Sequence, residues 1–582
     1  MGTEQRYFDV AICGSGLAGL SLARQLTLEQ PTLSIALLDR QRSPLPVATW
    51  KVGESSVDFG APYLTADLQL EESMSEAHLK KLGLRVFFGD GTTPLEQRPE
   101  LGLSGFAKVN AYQIDRGRLE NDLRNIVSGD GVTLMEDCHV TATNIGTGSQ
   151  LHTVSYTVLN DEEQQNLQCR WLIDATGRRR MIQRKLGLSR PAKGHPCSSA
   201  WFRLSGRADV DHLVSPTNTA WHARVPGGIR YYSTNHLCGT GYWVWLIPLS
   251  SDVTSIGIVA CEDMHPFKEY NSFEKALAWL ARNEPELAEY IEGQKPLDFL
   301  AMKQYSYTSE RIFSADRWAC IGEASVFSDP FYSPGTDFIA LANTFCCELI
   351  ARDFSDQTQA NQAEIYSRYI IELNDRLTKN IQTGYRYLGD EMVSLARGMW
   401  DYSAAWGQMC LPLFNRVFTD ADKQLALRQT NSGSFLLLAN RMQYLLEQWF
   451  ELRSRQGGHL SFQFFDYLSV SWLSSFRAAN LRKIDSLASL AAQFKANHAL
   501  YQDLIQALFL LAVEDLYPLR LDYFAQAERL DVLHMDLDPG TWDKGCIRSG
   551  TNAPESRFRK IHHEIRVQLE TVNSDNGLVS NG

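Results

Sequence analysis

The stretch from Phe8 to Leu26, FDVAICGSGLAGLSLARQL, constrains the chain more than any other: an apolar strand, a glycine turn and an Ala/Leu-rich helix follow one another without a break. Gly14, Gly16 and Gly19 form G-x-G-x-x-G, with Ala18 on the same turn. In such a turn the first glycine permits the bend, the second lets backbone approach a pyrophosphate and the third lets helix pack on strand. The helix start that follows has free N–H groups and a positive dipole end, which together suit an anion. A second strand, LSIALLDR, ends in Asp39 and Arg40, and Asp39 lies 20 residues past Gly19. A carboxylate at that distance takes a ribose hydroxyl in dinucleotide-binding folds.

The rest of the chain bounds the partners. The 582 residues are 44% hydrophobic and 21% charged, which is a globular composition long enough for several cores. A net charge of −12 argues against nucleic acid, because phosphate neutralisation needs a basic face. The glycine turn is reached without the charged region and apolar core of a signal peptide, and no apolar run approaches the ~20 residues of a membrane span, so a cytoplasmic protein is expected. The 11 cysteines are scattered, with no C-x-x-C pair, and read as free buried thiols; no metal site is expected.

Residues 1–340 read as the nucleotide-binding unit. Residues 57–84 have a helical pattern ending in HLKKLGL, Asp115-Arg116 enters an amphipathic helix, and CRWLIDATG is a buried strand. From about 198 to 261 the pattern changes to alternating runs, SSAWFRL, TAWHARV, GIRYYSTN, GYWVWLIPL and VTSIGIVA, which predict an antiparallel sheet inserted on the substrate side. The helix SFEKALAWLARNEPELAEYI and the strand RWACIGEA return the chain to the cofactor. Residues 341–582 carry apolar positions at three- and four-residue spacing and predict a C-terminal helical domain, with a polar tail from about 570.

With the glycine turn near the N-terminus, Arg116 before a mid-domain helix and Gly322-Glu323 after a late strand, the chain resembles the flavin monooxygenase fold. The expected class is therefore an α/β FAD-binding fold, Rossmann-like and of the glutathione-reductase type, with the inserted sheet and helical domain appended. That resemblance implies FAD as cofactor, held by Gly14, Gly16, Ala18, Gly19, Asp39, Arg40, Arg116, Gly322 and Glu323, with Lys51, Gly53, Glu54 and Ser55 of the KVGES segment alongside. Glu323 stands where that family usually has aspartate.

Two motifs narrow the reading. Trp243, Trp245 and Pro248 fit W-x-W-x-I-P, and Phe327 to Gly335, FSDPFYSPG with Asp329, Pro330 and Ser333, fits F-x-x-P-x-x-S-x-G. Both resemble signatures of the flavin-dependent halogenases, closer to the phenol- and pyrrole-type members than to the tryptophan type. The resemblance implies that the tryptophans part flavin from substrate, and that Ser333, Gly335 and Thr336 hold halide. It also implies that reduced FAD comes from a separate flavin reductase, and that a lysine presents electrophilic halogen to a small aromatic substrate, free or tethered to a carrier protein.

Lys81, shortly before a glycine and an aromatic run in KLGLRVFFG, matches that lysine, with Lys80 as neighbour and Lys51 as a more distant candidate. Tyr332 stands where tryptophan halogenases carry glutamate, which favours a self-activating phenolic ring. Pro334 offers no N–H to a halide, which leaves a monooxygenase or oxidase without halide use as an alternative, beside a non-catalytic flavin-binding or carrier-docking protein.

Overall fold

The computed structural model describes residues 6–47, 51–107, 110–159, 163–357, 360–431, 434–525, 527–548 and 556–571. The polar tail expected from about 570 lies outside them beyond residue 571. The first strand, Arg6–Cys13, runs parallel to Ile35–Leu38 on one side and to Gln165–Asp174 on the other. Gln165–Asp174 in turn pairs in parallel with Trp318–Cys320. The helix Leu17–Glu29 packs on this sheet, and a Cβ on Gly19 would collide with the carbonyl of Gly14. This is the Rossmann-like layer that the glycine turn predicts.

A second sheet of eight strands lies against it. Its order is Pro296–Met302, Cys197–Ser205, Val253–Cys261, Tyr242–Leu249, Thr234–Gly239, Leu84–Phe87, Glu100–Gly102 and Phe464–Asp466. Strand alternation sorts its side chains. Trp243, Trp245 and Ile247 join the core shared with the nucleotide layer, whereas Tyr242, Val244 and Leu246 join a separate core with Trp221 and Trp279. The last strand of this sheet comes from the helical region. That region includes Gly335–Phe354, Ala360–Gly384, Glu391–Ala405, Ser434–Gln456, Ser471–Asn480 and Leu487–Leu516, and the shared core continues into it through Phe345, Leu395 and Leu508.

Three segments differ from the sequence reading. TAWHARV is not a strand: the Asn218 side chain accepts the Trp221 N–H and starts a helix over Thr219–Arg224. GIRYYSTN is a 3-10 turn up to Tyr232, entered through Gly227 and Gly228 at φ +82° and +63°, and only Thr234 onward is strand. The helical pattern of 57–84 ends at Ala77; His78 turns extended, and Leu79–Lys81 pairs antiparallel with Ala111–Gln113.

Candidate active site

The glycine turn opens towards an anion. The helix Leu17–Glu29 has neither a side-chain cap nor an acid in its first turn, so its leading N–H groups are available to a ligand. Gly14 sits at φ +111°, and a Cβ on Gly16 would meet no atom within 4 Å. Asp39 folds back on this turn, its Oδ2 accepting the Ser15 N–H over 2.6 Å, while Arg40 is exposed. Gly322, at φ +55°, lies against Ala18 of the same helix.

Arg116 donates to the Val52 carbonyl (2.5 Å) and to Glu120 (2.7 Å), and the Lys51 ammonium reaches the same Glu120. Gly53, at φ +85°, leaves room for the Arg116 guanidinium. Burial raises the Glu323 carboxyl above its usual range, opposed by the charges of Arg178 and Arg116, so late acid and early arginine converge. Arg116 Nε and Arg178 Nη1 are buried without a protein partner. Orphaned guanidinium atoms beside a free helix N-terminus fit the pyrophosphate of FAD.

The two motifs meet across the sheets. Trp243 and Trp245 stand 5.7 Å apart, and Phe331 meets Trp243 edge-on at 5.3 Å. Trp243 Nε1 donates to Tyr385 and Trp245 Nε1 to Ser255. Pro248 continues the strand opposite Thr254, and Pro330 is half-buried beside Phe331. Ser333 takes φ +56°, Pro334 caps the helix Gly335–Phe354, and Gly335 and Thr336 form its first turn, where N–H groups have no helical acceptor.

Two residues expected at the cofactor are enclosed by protein instead. Glu54 is paired with Arg203 over 2.8 Å, and Arg203 also holds Asp298. The buried Glu54 carboxyl thus braces the antiparallel sheet through Arg203. Asp329 Oδ2 receives His195 (2.8 Å), Tyr305 (2.7 Å) and Tyr385 (2.6 Å), and Oδ1 the Phe331 N–H (2.9 Å). Burial would raise its carboxyl, but the His195 bond and charge and the two phenols outweigh it and hold the group below the usual range. It shapes the second motif from behind.

Lys81 is 4% exposed. Its Nζ donates to Ser55 Oγ over 2.7 Å and to the Ser56 carbonyl over 3.0 Å, and Ser333 Oγ donates to the same Ser55 over 3.2 Å. Burial lowers the Lys81 amine to about 7, partly opposed by the charges of Asp58 and Asp337. Lys80 points away, its ammonium over the Phe106 ring.

The helical region closes this side. Trp406 Nε1 and Arg477 donate to Asp58, and Tyr332 donates to Asp401. His195, Tyr305, Tyr385, Asp58, Asp337 and His236 were not legible as site residues. The run Arg178-Arg179-Arg180 just after the strand ending in Asp174 was a usable sign of an anion and was missed.

The family model described as tryptophan halogenase matches residues 92–385. A flavin-dependent halogenase of Dictyostelium discoideum is 26% identical over 467 residues, 72% of this chain and 75% of that protein. A 1H-pyrrole-2-carbonyl-[peptidyl-carrier protein] brominase of Pseudoalteromonas luteoviolacea is 26% identical, over 58% of this chain and 75% of its own length. The crystal structure of the halogenase PltM in complex with phloroglucinol and FAD shares the fold, with a TM-score of 0.60 at 16% identity, over 84% of this chain and 96% of that one. The family match spans half of the sequence and contains both motifs; the chain belongs to the tryptophan halogenase family and is a flavin-dependent halogenase that uses FAD and halide.

Proposed function

We propose that this halogenase acts on an electron-rich phenolic ring, with Lys81 presenting the halogen and a separate flavin reductase supplying reduced FAD in the cytoplasm. One observation carries the reading. Lys81, buried and with its pKa lowered to about 7, shares Ser55 with Ser333 of the second motif, which also contains Phe331, the ring that meets Trp243 edge-on. Among the described residues no helix is long and apolar enough to cross a membrane.

Bound reduced FAD, with oxygen, supplies the oxidising equivalent that turns halide into hypohalous acid. The N–H groups of Gly335 and Thr336 suit the halide, since Pro334 removes only its own donor and the helix dipole adds to theirs. Trp243 and Trp245 keep the aromatic substrate from the cofactor. A neutral Lys81 amine takes halogen from hypohalous acid with release of water, then passes it to the ring, which loses a proton. An amine near 7 is available for this at neutral pH, whereas an ordinary lysine is not.

Tyr332 supports a phenolic substrate, because its hydroxyl is committed to Asp401 and offers no carboxylate to polarise a less reactive ring. The phloroglucinol bound to PltM is a ring of this kind. The test is turnover of phloroglucinol with a flavin reductase, in chloride and then in bromide. The expected product mass and isotope pattern follow the halide. A product whose mass is the same in chloride and in bromide identifies an oxygenase, and product made only from a carrier-bound ring moves the substrate to the tethered class.

A further inference from the structure

The antiparallel pairing of Cys197–Ser205 with Val253–Cys261 ends on two cysteines. Cys197 stands directly opposite Cys261, the two thiols touch with Sγ atoms 2.7 Å apart, and the residues are 0% and 4% exposed. Directly opposed residues of antiparallel strands hold their Cα atoms about 4.5–5.5 Å apart, inside the roughly 4.4–6.8 Å that a disulfide spans. The 11 cysteines are all free and buried, and burial alone makes a thiol inert. Cys346 and Cys347 are neighbours only along the helix Gly335–Phe354, where consecutive side chains do not face each other. A thiol in register with a second thiol is a different case.

A base lies beside this pair. One ring nitrogen of His195, the Cys197 Sγ and a carboxylate oxygen of Asp329 lie within 4.8 Å of one another. The Asp329 carboxyl is held below its usual range and, once ionised, can only accept, so His195 Nε2 donates the 2.8 Å bond between them. In the neutral ring this leaves Nδ1 as a bare acceptor, and Nδ1 is buried without a protein partner. Tyr305 and Tyr385 fix the ring by edge contacts at 5.4 and 6.3 Å. A thiol, a histidine and an orienting carboxylate are the parts of an activated cysteine. The same donors do not make a good metal site, because Asp329 Oδ2 already accepts from His195, Tyr305 and Tyr385.

We propose that Cys197 and Cys261 are a redox-active thiol pair, with His195 as proton acceptor, that captures stray hypohalous acid and closes to a cross-strand disulfide. Val259, two residues before Cys261 and on the same face, is the register partner of Trp243, so pair and tryptophan wall share one face of the sheet. The oxidant, though not the thiol pair, rests on the hypohalous acid of the proposed function.

The sulfur of Cys197 takes the halogen, and the hydroxide that leaves combines with the thiol proton, passed through His195, as water. Cys261 then attacks the Cys197 sulfur, forming the S–S bond and expelling halide, and its own proton leaves to solvent. Two thiols lose two electrons, and the halogen of hypohalous acid is reduced to halide. Burial raises the Cys197 thiol and keeps it protonated, so the pair stays reduced until a base takes that proton as the sulfur reacts.

The FAD-loaded full chain is run with a flavin reductase and bromide, without an aromatic substrate and with catalase to remove peroxide. Free thiols are then blocked with iodoacetamide under denaturing conditions and the cysteine peptides are measured by mass spectrometry. The expected product is a Cys197–Cys261 disulfide, formed before any other cysteine is oxidised, absent without bromide and reversed by dithiothreitol. His195→Gln is expected to slow its formation by about a hundredfold, and Cys261→Ser to leave Cys197 as a sulfenic acid trapped by dimedone. Wild-type thiols that are both still free after hypobromous acid has appeared in solution overturn the proposal, as do equal oxidation of all the cysteines and stoichiometric zinc in the purified chain. Reagent hypobromous acid added to the resting chain separates the two readings: a disulfide from the reagent and neither disulfide nor hypobromous acid from turnover keeps the thiol pair and removes hypohalous acid from the flavin step.

Discussion

The indole N–H of Trp243 donates to the phenol of Tyr385 over 3.0 Å, and that phenol donates to Asp329 over 2.6 Å. One residue at the end of a helical segment thus ties the strand of the first motif to the loop of the second. Tyr385→Phe removes both bonds. Asp329 keeps His195 and Tyr305, so the expected cost is about 1–3 kcal/mol of stability rather than unfolding. Less product per reduced flavin consumed, with more hypohalous acid trapped in solution, is the expected consequence of a loosened Trp243. Unchanged coupling in Tyr385→Phe would show that the wall does not depend on this tie.

Gly14 and Gly16 separate folding from cofactor binding. A Cβ on Gly14 would enter the Ala175 carbonyl and strain a φ of +111°, so Gly14→Ala is expected to yield little folded protein. A Cβ on Gly16 meets open space. Gly16→Val is therefore expected to fold with near wild-type stability and to lose FAD affinity at least tenfold, measured by flavin fluorescence. Tight FAD binding by Gly16→Val would place the pyrophosphate elsewhere.

Burial of Lys81 lowers stability at neutral pH. Its pKa falls from 10.5 in the unfolded chain to about 7 in the native one. Between these values the unfolded state binds more protons, so this group's contribution to stability rises with pH across pH 7 to 10.5 and is least favourable below 7. Lys81→Met is expected to be more stable than wild type by on the order of 2 kcal/mol at pH 6.5, with the gap narrowing towards pH 9. Urea unfolding at the two pH values checks it; a gap that widens with pH contradicts the buried amine.

Arg477→Met leaves Asp58 without its cation. Breaking a largely buried pair costs about 2–4 kcal/mol, and the uncompensated Asp58 charge favours the Lys81 ammonium. The acid limb of the pH–rate profile is expected to move to higher pH. An acid limb that stays in place or moves to lower pH would show that Lys81 does not feel the Asp58 charge.

The glycine turn, Arg116 and the tryptophan motif were legible because each is local: a turn needs its glycines within six residues, and strand alternation puts Trp243 and Trp245 on one face. Asp337 was not legible. Its place against Gly60 comes from a segment more than 250 residues away, and an acid in the first turn of a helix is otherwise an ordinary dipole partner. Lys81 itself was found on the wrong element. Its Glu/Lys/Leu-rich neighbourhood favours helix, but pairing with Ala111–Gln113 outweighs that preference. Alternation likewise misled over TAWHARV, where the Asn218 cap decided the outcome.

The central claim, that oxidation of halide and delivery of halogen are separate jobs on either side of the tryptophan wall, is tested most directly by Lys81→Ala. Flavin-loaded variant, reductase, bromide and phloroglucinol are combined, and free hypobromous acid and brominated product are measured together. The account predicts bromide-dependent hypobromous acid at near wild-type rate, with product lowered at least a hundredfold. Wild-type product from Lys81→Ala would contradict it.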